Sequence, residues 1–471
     1  MKRIYLIGVC IFTCVIAQAQ QVYTLEMCRD TALKYNHAVA IAGQTEAKAK
    51  YSERSYFANF LPKFSASGAY LYTNTSFKQR IEKMYLPTYV PDPVTGEPQP
   101  NFVLLPDGQQ VIGPDGNPLF KQYAQFRGMD LNLQLSGTYF AGLGVEQPVF
   151  MGGKILSAYK MSQIGRDMAT LNSALTRAEI IVKTDEAYWL HLKALESKKT
   201  ALAFKEVVDE LLQNVQHAEK SGMQSRNDLL KVQVQMNKAE LQLQKADNAI
   251  RLSRMNLCQV MGLPLTTGIN LSPDFTETKD VVPNTEESGR NFRPEYSLLE
   301  KQIELKSQQV RLVRADFLPQ VGVSANYGYM HGLELNGTPL IDRASFSALL
   351  SVKIPLFHWG EGLNKIRAAK AEKQIMEWQR EELTEKMDLE VQQARDRLNE
   401  SQLEVEMNRL ALEQAEENLK TTRNRYEAGM ESLADYLEAQ TLWQQASLTL
   451  IESKIARRLN ETYYLKAIGK L

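Results

Sequence analysis

The sequence is poor in the residues and patterns that most enzymes need. Its 471 residues include five histidines and four cysteines, and it contains no HExxH, GxSxG, P-loop or CxxC spacing. Those patterns hold metals, position nucleophiles or bind phosphates. We therefore predict a protein that is not an enzyme and that needs no cofactor and no metal.

An excess of charge of either sign is also missing. The chain has 55 Lys and Arg against 55 Asp and Glu, so its formal net charge is zero. A neutral chain has no global field to attract nucleic acid or an anionic membrane surface. We therefore expect no nucleic-acid partner.

The N-terminus has the pattern of an export signal. Lys2 and Arg3 precede an apolar run from Ile4 to Ala17, which is too short to cross a bilayer comfortably. The small residues of Ala17-Gln-Ala19 follow. We predict that residues 1–19 are a signal peptide, cut before Gln20, and that the mature protein is exported.

Two of the four cysteines lie in this predicted signal peptide, and Cys28 and Cys258 remain in the mature chain. Exported proteins can form structural disulfides, so a bond between them is possible. Because only two cysteines remain in a long chain, we favour two buried free thiols instead.

A tandem repeat organises the rest of the chain. Four residues recur at a constant separation of 429 − 222 = 207: Gly222, Met223, Ser225 and Asp228 correspond to Gly429, Met430, Ser432 and Asp435. Glycine ends a helix in the left-handed conformation, and a serine with an acidic residue three positions later begins one. The repeat therefore predicts two helical hairpin tips, at 221–228 and 428–435.

We expect the first structural repeat over 20–262 and the second over 291–471. Residues 263–290 contain prolines and glycines and are predicted to be an irregular equatorial linker between them. The first repeat carries about fifty extra residues, because 78–128 contains Pro-Asp-Gly turns without sustained periodicity. We interpret 78–128 as a long extracellular loop.

Alternating apolar and polar residues predict four strands, at about 62–77, 129–150, 319–331 and 344–357. A soluble antiparallel sheet would show the same alternation. Two such hairpins in an exported chain favour a membrane barrel with a wet interior. Four strands are too few to close a barrel, since about eight are needed, so we predict a trimer.

Very long helices follow the strands, at about 151–220 and 360–427. Each would have roughly 70 residues and a length of roughly 100 Å. Shorter helices are predicted at about 25–59, 226–262, 291–316 and 432–469. In the second long helix Val391, Leu398, Val405 and Leu412 recur every seven residues, and Leu389, Leu403 and Leu410 mark a second seam. Two seams indicate two helical neighbours, in a ring of helices or in an antiparallel bundle.

The chain resembles the TolC-like outer-membrane efflux protein family over nearly all of its mature length. The resemblance rests on the order of several short motifs: Ala32-Leu-Lys-Tyr-Asn36, Leu61-Pro62, Gln147-Pro-Val-Phe150, Phe292-Arg-Pro-Glu295, Leu318-Pro319, Ile354-Pro-Leu-Phe357 and Arg425-Tyr426 with Gly429 and Asp435. It implies a mainly α fold with a membrane β part, in which a trimeric 12-stranded β-barrel continues into a 12-helix periplasmic α-barrel. The expected location is the outer membrane of a Gram-negative bacterium, extending into the periplasm.

The resemblance also implies a function and partners. The homotrimer, embedded in outer-membrane lipid, would be the exit duct of a tripartite efflux or secretion system and would conduct substrates passively to the outside. A periplasmic adaptor protein and an inner-membrane transporter would supply them. A periplasmic coiled-coil scaffold or adaptor is an alternative, as is a surface receptor that uses the 78–128 loop.

Site residues carry over from the family by position. Asp435 and Glu438 are expected to form the periplasmic gate. Tyr426 and Asp228 would form a gate latch, with Arg226 as a substitute because Glu431 holds the family's arginine position. Adaptor contact is expected at the two hairpin tips, on Gly222, Met223, Gly429 and Met430. The alternative is that these residues serve only local structure. The aspartates would then be helix N-caps, the glycines C-caps, and the methionines local packing residues.

Overall fold

The computed structural model describes residues 22–73, 76–271 and 293–471. The predicted signal peptide and most of the predicted linker lie outside these residues. The described residues belong to two compact units. The sheet unit comprises 57–155 and 315–358, and the helical unit contains the rest.

The helical unit contains seven α-helices among the described residues. They are α1 (Leu25–Tyr35), α2 (His37–Phe57), α3 (Lys154–Lys220), α4 (Arg226–Met261), α5 (Pro294–Ala315), α6 (Glu361–Glu427) and α7 (Leu433–Ala467). Both α3 and α6 have 67 residues, which gives each a length of about 100 Å. In the described part of the chain, no helix has the length and apolarity needed to cross a bilayer.

The predicted single helix at 25–59 is wrong, because the chain breaks at Asn36. This residue is extended, with ψ at 132°. Its side-chain Nδ2 donates to the Val260 carbonyl at 2.7 Å, and its Oδ1 accepts from the Ala38 amide at 2.7 Å. The second bond caps the start of α2. Gly262 approaches so closely that a Cβ there would lie 2.3 Å from the Tyr35 carbonyl oxygen.

The core of the helical unit contains a buried carboxylate, paired with a half-buried arginine, beside an apolar cluster. Asp185 on α3 is fully buried, and its carboxylate accepts from Arg29 Nε at 2.7 Å and Nη2 at 2.5 Å. Thr462 Oγ1 on α7 donates to the same carboxylate at 2.6 Å. Three helices from both repeats are therefore joined at one carboxylate.

Cys28 and Cys258 are buried free thiols in the adjoining apolar cluster. Burial, followed by the charge of Asp185, raises the pKa of Cys28 to about 12. A thiol with so high a pKa stays protonated and is unreactive at neutral pH. These contacts match the free-thiol interpretation of the sequence.

The sheet unit contains five main strands: β1 (Lys63–Leu71), β2 (Ser76–Ile81), β3 (Met129–Met151), β4 (Gln320–Leu335) and β5 (Thr338–Lys353). The strand order is β5-β4-β3-β1, and β2 also pairs with β3. All these pairs are antiparallel. The stretch predicted as one strand at 62–77 therefore contains β1 and the start of β2.

The two Pro-x-Phe motifs differ in structure. Pro148 lies inside β3, at a register shift opposite Val321 and Gly322. Proline is tolerated in a strand at such irregularities. In the second repeat β5 ends at Lys353, so the strand predicted to continue to 357 stops before Pro355.

The register gives the sheet two unlike faces. One face carries apolar rows, in which Leu143, Tyr327 and Phe346 are neighbours on successive strands. The opposite face carries small and polar rows such as Gly144, Asn326 and Ser347. Among the described residues, β1 and β5 each have one edge without a paired strand.

Residues 82–128 form an arm with its own short ladders, although the sequence predicted no sustained strand there. Met84–Pro87 pairs with Tyr123–Phe126, and Tyr89–Pro91 pairs with Pro98–Pro100. The rings of Phe102 and Phe120 lie 4.7 Å apart. Ladders of three or four residues are too short to produce a visible period of two, and prolines interrupt them.

Candidate functional site at the helical tips

Both predicted hairpin tips are helix ends of the same design. Gly222 and Gly429 have φ values of +73° and +72°. The Met223 amide donates back to the Ala218 carbonyl, and the Met430 amide donates to the Arg425 carbonyl, each at 2.8 Å. These are the bonds of a glycine C-cap.

The serines and aspartates begin the returning helices. Ser225 Oγ accepts from the Asp228 amide at 3.1 Å, and Ser432 Oγ accepts from the Asp435 amide at 3.2 Å. Each serine hydroxyl also donates to its aspartate carboxylate, at 2.6 and 2.5 Å. The capping role that the sequence offered for both aspartates is therefore present.

The two caps differ in charge. Lys231 Nζ lies 3.1 Å from Asp228 Oδ1 and compensates it. The hydrogen bond from Ser225, then that from Lys231, lowers the pKa of Asp228. At the second tip Asp435 and Glu438 are both exposed, and neither forms an ion pair with a described residue. Only the second tip therefore carries two uncompensated carboxylates.

The predicted latch residues are partly brought together. The Tyr426 ring stacks on Tyr436, with centroids 5.3 Å apart and planes inclined by 24°. Burial, followed by the charge of Asp228, raises the pKa of Tyr426. Arg226 instead faces Glu219, at 3.8 Å. Within the chain, the proposed arginine substitute therefore does not reach the tyrosine.

An ion pair missed by sequence reasoning joins the two long helices near the tips. Arg423 Nη2 on α6 lies 2.6 Å from Glu210 Oε1 on α3, and Arg423 Nε lies 2.9 Å from Glu427. Arg423 and Glu210 are 213 residues apart, and no motif marks either of them. Glu431, which occupies the family's arginine position, pairs with Arg425 at 3.0 Å.

The residues predicted to meet an adaptor are on the surface. Met223 is 79% exposed and Met430 is 67% exposed. A Cβ at Gly222 or Gly429 would meet no atom within 4 Å, so only the left-handed backbone limits substitution there. Within the described residues, no group of three or more His, Cys, Asp or Glu side chains could hold a metal ion.

A sheet with one apolar face and long helical hairpins in the same exported chain define the class of outer-membrane ducts. The profile of the outer membrane efflux protein family matches residues 29–263 and 293–469. The chain belongs to that family. Membership confirms the predicted family, the outer-membrane location and a role in export, and the family is one of efflux proteins rather than of enzymes.

Two curated relatives are similar over part of their length. The alkaline protease secretion protein AprF of Pseudomonas aeruginosa is 26% identical over 330 residues, which cover 67% of this chain and 66% of AprF. Protein CyaE of Bordetella pertussis is 24% identical over 328 residues, covering 69% of each. The chain thus spans about two thirds of the curated relatives that it matches.

The fold is that of solved outer-membrane channels. The CmeC channel of Campylobacter jejuni aligns with a TM-score of 0.71 at 18% identity, over 95% of this chain and 85% of CmeC. This likeness agrees with the predicted combination of helical and sheet parts.

Proposed function

We propose that the chain forms a homotrimeric exit duct, with a 12-stranded barrel in the outer membrane and a 12-helix barrel in the periplasm. The observation that supports it best is the pair of unpaired sheet edges on β1 and β5. Lipid cannot satisfy exposed backbone N–H and C=O groups, so a membrane sheet must close. Because β1 and β2 lie end to end along β3, each copy contributes four strand positions, and three copies would pair every edge.

The apolar face has the height that a membrane requires. Its continuous rows on β4 run from Val321 to Tyr329, and on β5 from Phe346 to Val352. At about 3.3 Å per residue, the nine residues on β4 give about 30 Å along the strand and the seven on β5 about 23 Å, and both give less along the bilayer normal once the strands tilt. A barrel needs an apolar band of about 25 Å, with aromatic residues at its borders.

The small polar face would then line the interior. Such an interior suits a water-filled conduit. Transport through it is passive in this proposal, and a periplasmic adaptor with an inner-membrane transporter delivers the substrate. The exposed methionines Met223 and Met430, beside the C-cap glycines, would meet the adaptor.

The second tip would form the periplasmic gate. Three copies of Asp435 and Glu438 place six carboxylates around one opening, and confined like charges attract cations. Tyr426 and Asp228 would stabilise the closed tips as a latch. Arg226 would take part only across a subunit boundary, because within the chain it faces Glu219.

Cross-linking, light scattering and planar-bilayer recording of the purified full chain test this proposal. We expect a detergent-resistant trimer that forms cation-selective pores. A protein that stays monomeric with its full strand content, or a trimer that never conducts, would contradict it.

A further inference from the structure

The small polar face of the sheet carries one large aromatic ring. Phe140 on β3 is 40% exposed and alternates with Tyr139, which lies on the apolar face. Most neighbours of Phe140 on its own face are glycine, serine or alanine. A large ring among these small neighbours needs a specific packing partner on the sheet.

Two glycines hold this ring. A Cβ built on Gly142 would lie 2.7 Å from Phe140 Cζ, and a Cβ on Gly328 would lie 2.7 Å from Phe140 Cε2. Gly142 and Gly328 are direct partners across β3 and β4. The ring therefore lies flat over a pair of glycines, a packing that restores the contacts a glycine pair lacks in a sheet.

Phe140 is part of a row across three strands. Its partner on β4 is Met330, and the partner of Met330 on β5 is Arg343. Adjacent strands are about 4.8 Å apart, so the row spans about 10 Å. Arg343 is exposed and forms no ion pair with a described residue. The row thus combines a ring, a thioether and a free positive charge.

A locked bulge lies directly beside this row. The register of β3 with β4 shifts between His331 and Leu333, and Gly332 has φ at +100°. Thr138 Oγ1 is buried and donates to the Gly332 carbonyl at 3.0 Å. Bulges fix the direction of nearby side chains, so the bulge and its threonine hold the row in place.

We propose that Phe140, Met330 and Arg343 form a collar on the inner wall of the duct that contacts amphipathic organic anions carrying an aromatic ring. The inference rests on the proposed barrel, in which the small polar face lines the interior. The exposed ring of Phe140 and the half-buried thioether of Met330 contact the apolar body of the substrate, and Arg343 contacts its negative group. Three copies would surround the path.

Cysteine labelling tests which face the collar occupies. In proteoliposomes made with the full chain, we expect Phe140→Cys to react with a charged, water-soluble thiol reagent. The matched control, Leu143→Cys, is three residues away on the opposite face, inside the apolar band, and should be protected by lipid. The native Cys28 and Cys258 are buried and give a low background. Labelling of Leu143→Cys with protection of Phe140→Cys would overturn the collar.

Pore block tests what the collar contacts. We expect 2-naphthalenesulfonate to block the parent pore and methanesulfonate, an anion without a ring, to leave it open. Phe140→Ala and Arg343→Gln should each weaken the block by about threefold to tenfold. The control Ser345→Ala, on the same face one row below, should leave it unchanged.

The glycine pair provides a test without removing the ring. Gly328→Ala places a methyl group where the Phe140 ring lies and should displace it, altering the block. In Phe140→Ala/Gly328→Ala the added methyl should have no further effect. If the variants conduct and 2-naphthalenesulfonate blocks all of them as it blocks the parent, the collar is overturned and the proposed duct still stands. A parent that forms no pore would overturn both.

Discussion

Lys231 and Glu438 occupy equivalent positions, one helical turn after the serine-capped aspartate of each tip. Their separation is the repeat spacing, 438 − 231 = 207. The lysine contacts Asp228 at 3.1 Å, whereas Glu438 adds a second negative charge near Asp435. The difference between lysine and glutamate at this position therefore makes the first tip neutral and the second tip acidic.

We expect Asp435→Asn/Glu438→Gln to lose cation selectivity and block by multivalent cations while the trimer stays folded. The asparagine keeps an acceptor for the cap, and even complete loss of a cap costs only about 1 kcal/mol. Reversal potentials and block in planar bilayers measure the change. The matched control is Asp228→Asn/Lys231→Gln, which removes a compensated pair at the other tip. If the first variant keeps the cation selectivity of the parent, the acidic pair is not the gate and Asp435 serves only as a helix cap.

Replacing Tyr426 by leucine should loosen the closed tips, because the stack with Tyr436 is lost. An aromatic pair contributes about 0.5–1.5 kcal/mol beyond its buried area. We expect a higher open probability in single-channel recordings. Tyr426→Phe retains the ring and lacks only the hydroxyl, so it separates stacking from hydrogen bonding to Asp228 or another group. Parental gating in the leucine variant would remove Tyr426 from the latch.

Asp185→Ala should destabilise the helical unit by about 3 kcal/mol, because the half-buried Arg29 and the buried Thr462 would lose the carboxylate that they bond. Thermal or denaturant unfolding followed by circular dichroism measures the loss. The neighbouring Glu186 accepts from the Tyr463 hydroxyl at 2.7 Å at the surface. Glu186→Gln is therefore a suitable control, expected to cost less than about 1 kcal/mol. If both variants lose the same free energy of unfolding, the bonds to Asp185 contribute no more than a hydrogen bond at the surface.

The buried imidazole of His191 should make stability fall in acid. Burial, then the charge of Arg254, lowers the pKa of His191 from 6.5 to about 4, and its Nδ1 lies 2.9 Å from Ser253 Oγ. The folded chain thus favours the neutral ring. The stability that the neutral His191 ring contributes is fully present above pH 6.5 and is lost as the pH falls towards 4.

In His191→Gln the stability difference between pH 7 and pH 4 should shrink by on the order of 1–3 kcal/mol relative to the parent. Denaturant titrations at both pH values measure it. The same substitution at the exposed His217 is the control and should leave the pH dependence unchanged. An unchanged slope in His191→Gln would assign the acid sensitivity to other groups.

Local patterns were sufficient to predict several features. The Gly-Met and Ser-Asp tips could be recognised because capping depends on neighbours within one turn, and the 207-residue spacing repeated the signal. The strands around Tyr327 and Phe346 could be recognised from alternation. The opposite charges at Lys231 and Glu438 were also visible at that spacing, although the prediction did not use them.

Other features depend on distant partners and left no local signal. Asp185 meets Arg29 and Thr462 across 156 and 277 residues. The break at Asn36 is stabilised by the Val260 carbonyl, and its own stretch looks helical. The exposed ring of Phe140 looked like an ordinary strand residue until the register set it over Gly142 and Gly328. Such contacts require the fold before they can be identified.

In the proposed duct the self-contained arm at 82–128 would lie outside the cell, where it would be a scaffold for surface display. Thr88 donates from both its amide and its hydroxyl to the Gln122 carbonyl, at 3.2 and 2.7 Å, which continues the ladder of Met84–Pro87 with Tyr123–Phe126 beyond its last pair. The turn at Pro106-Asp-Gly108 lies near the middle of the arm's sequence and is exposed. A peptide epitope grafted into this turn would be held by the arm's own ladders and would not need any contact with the main strands.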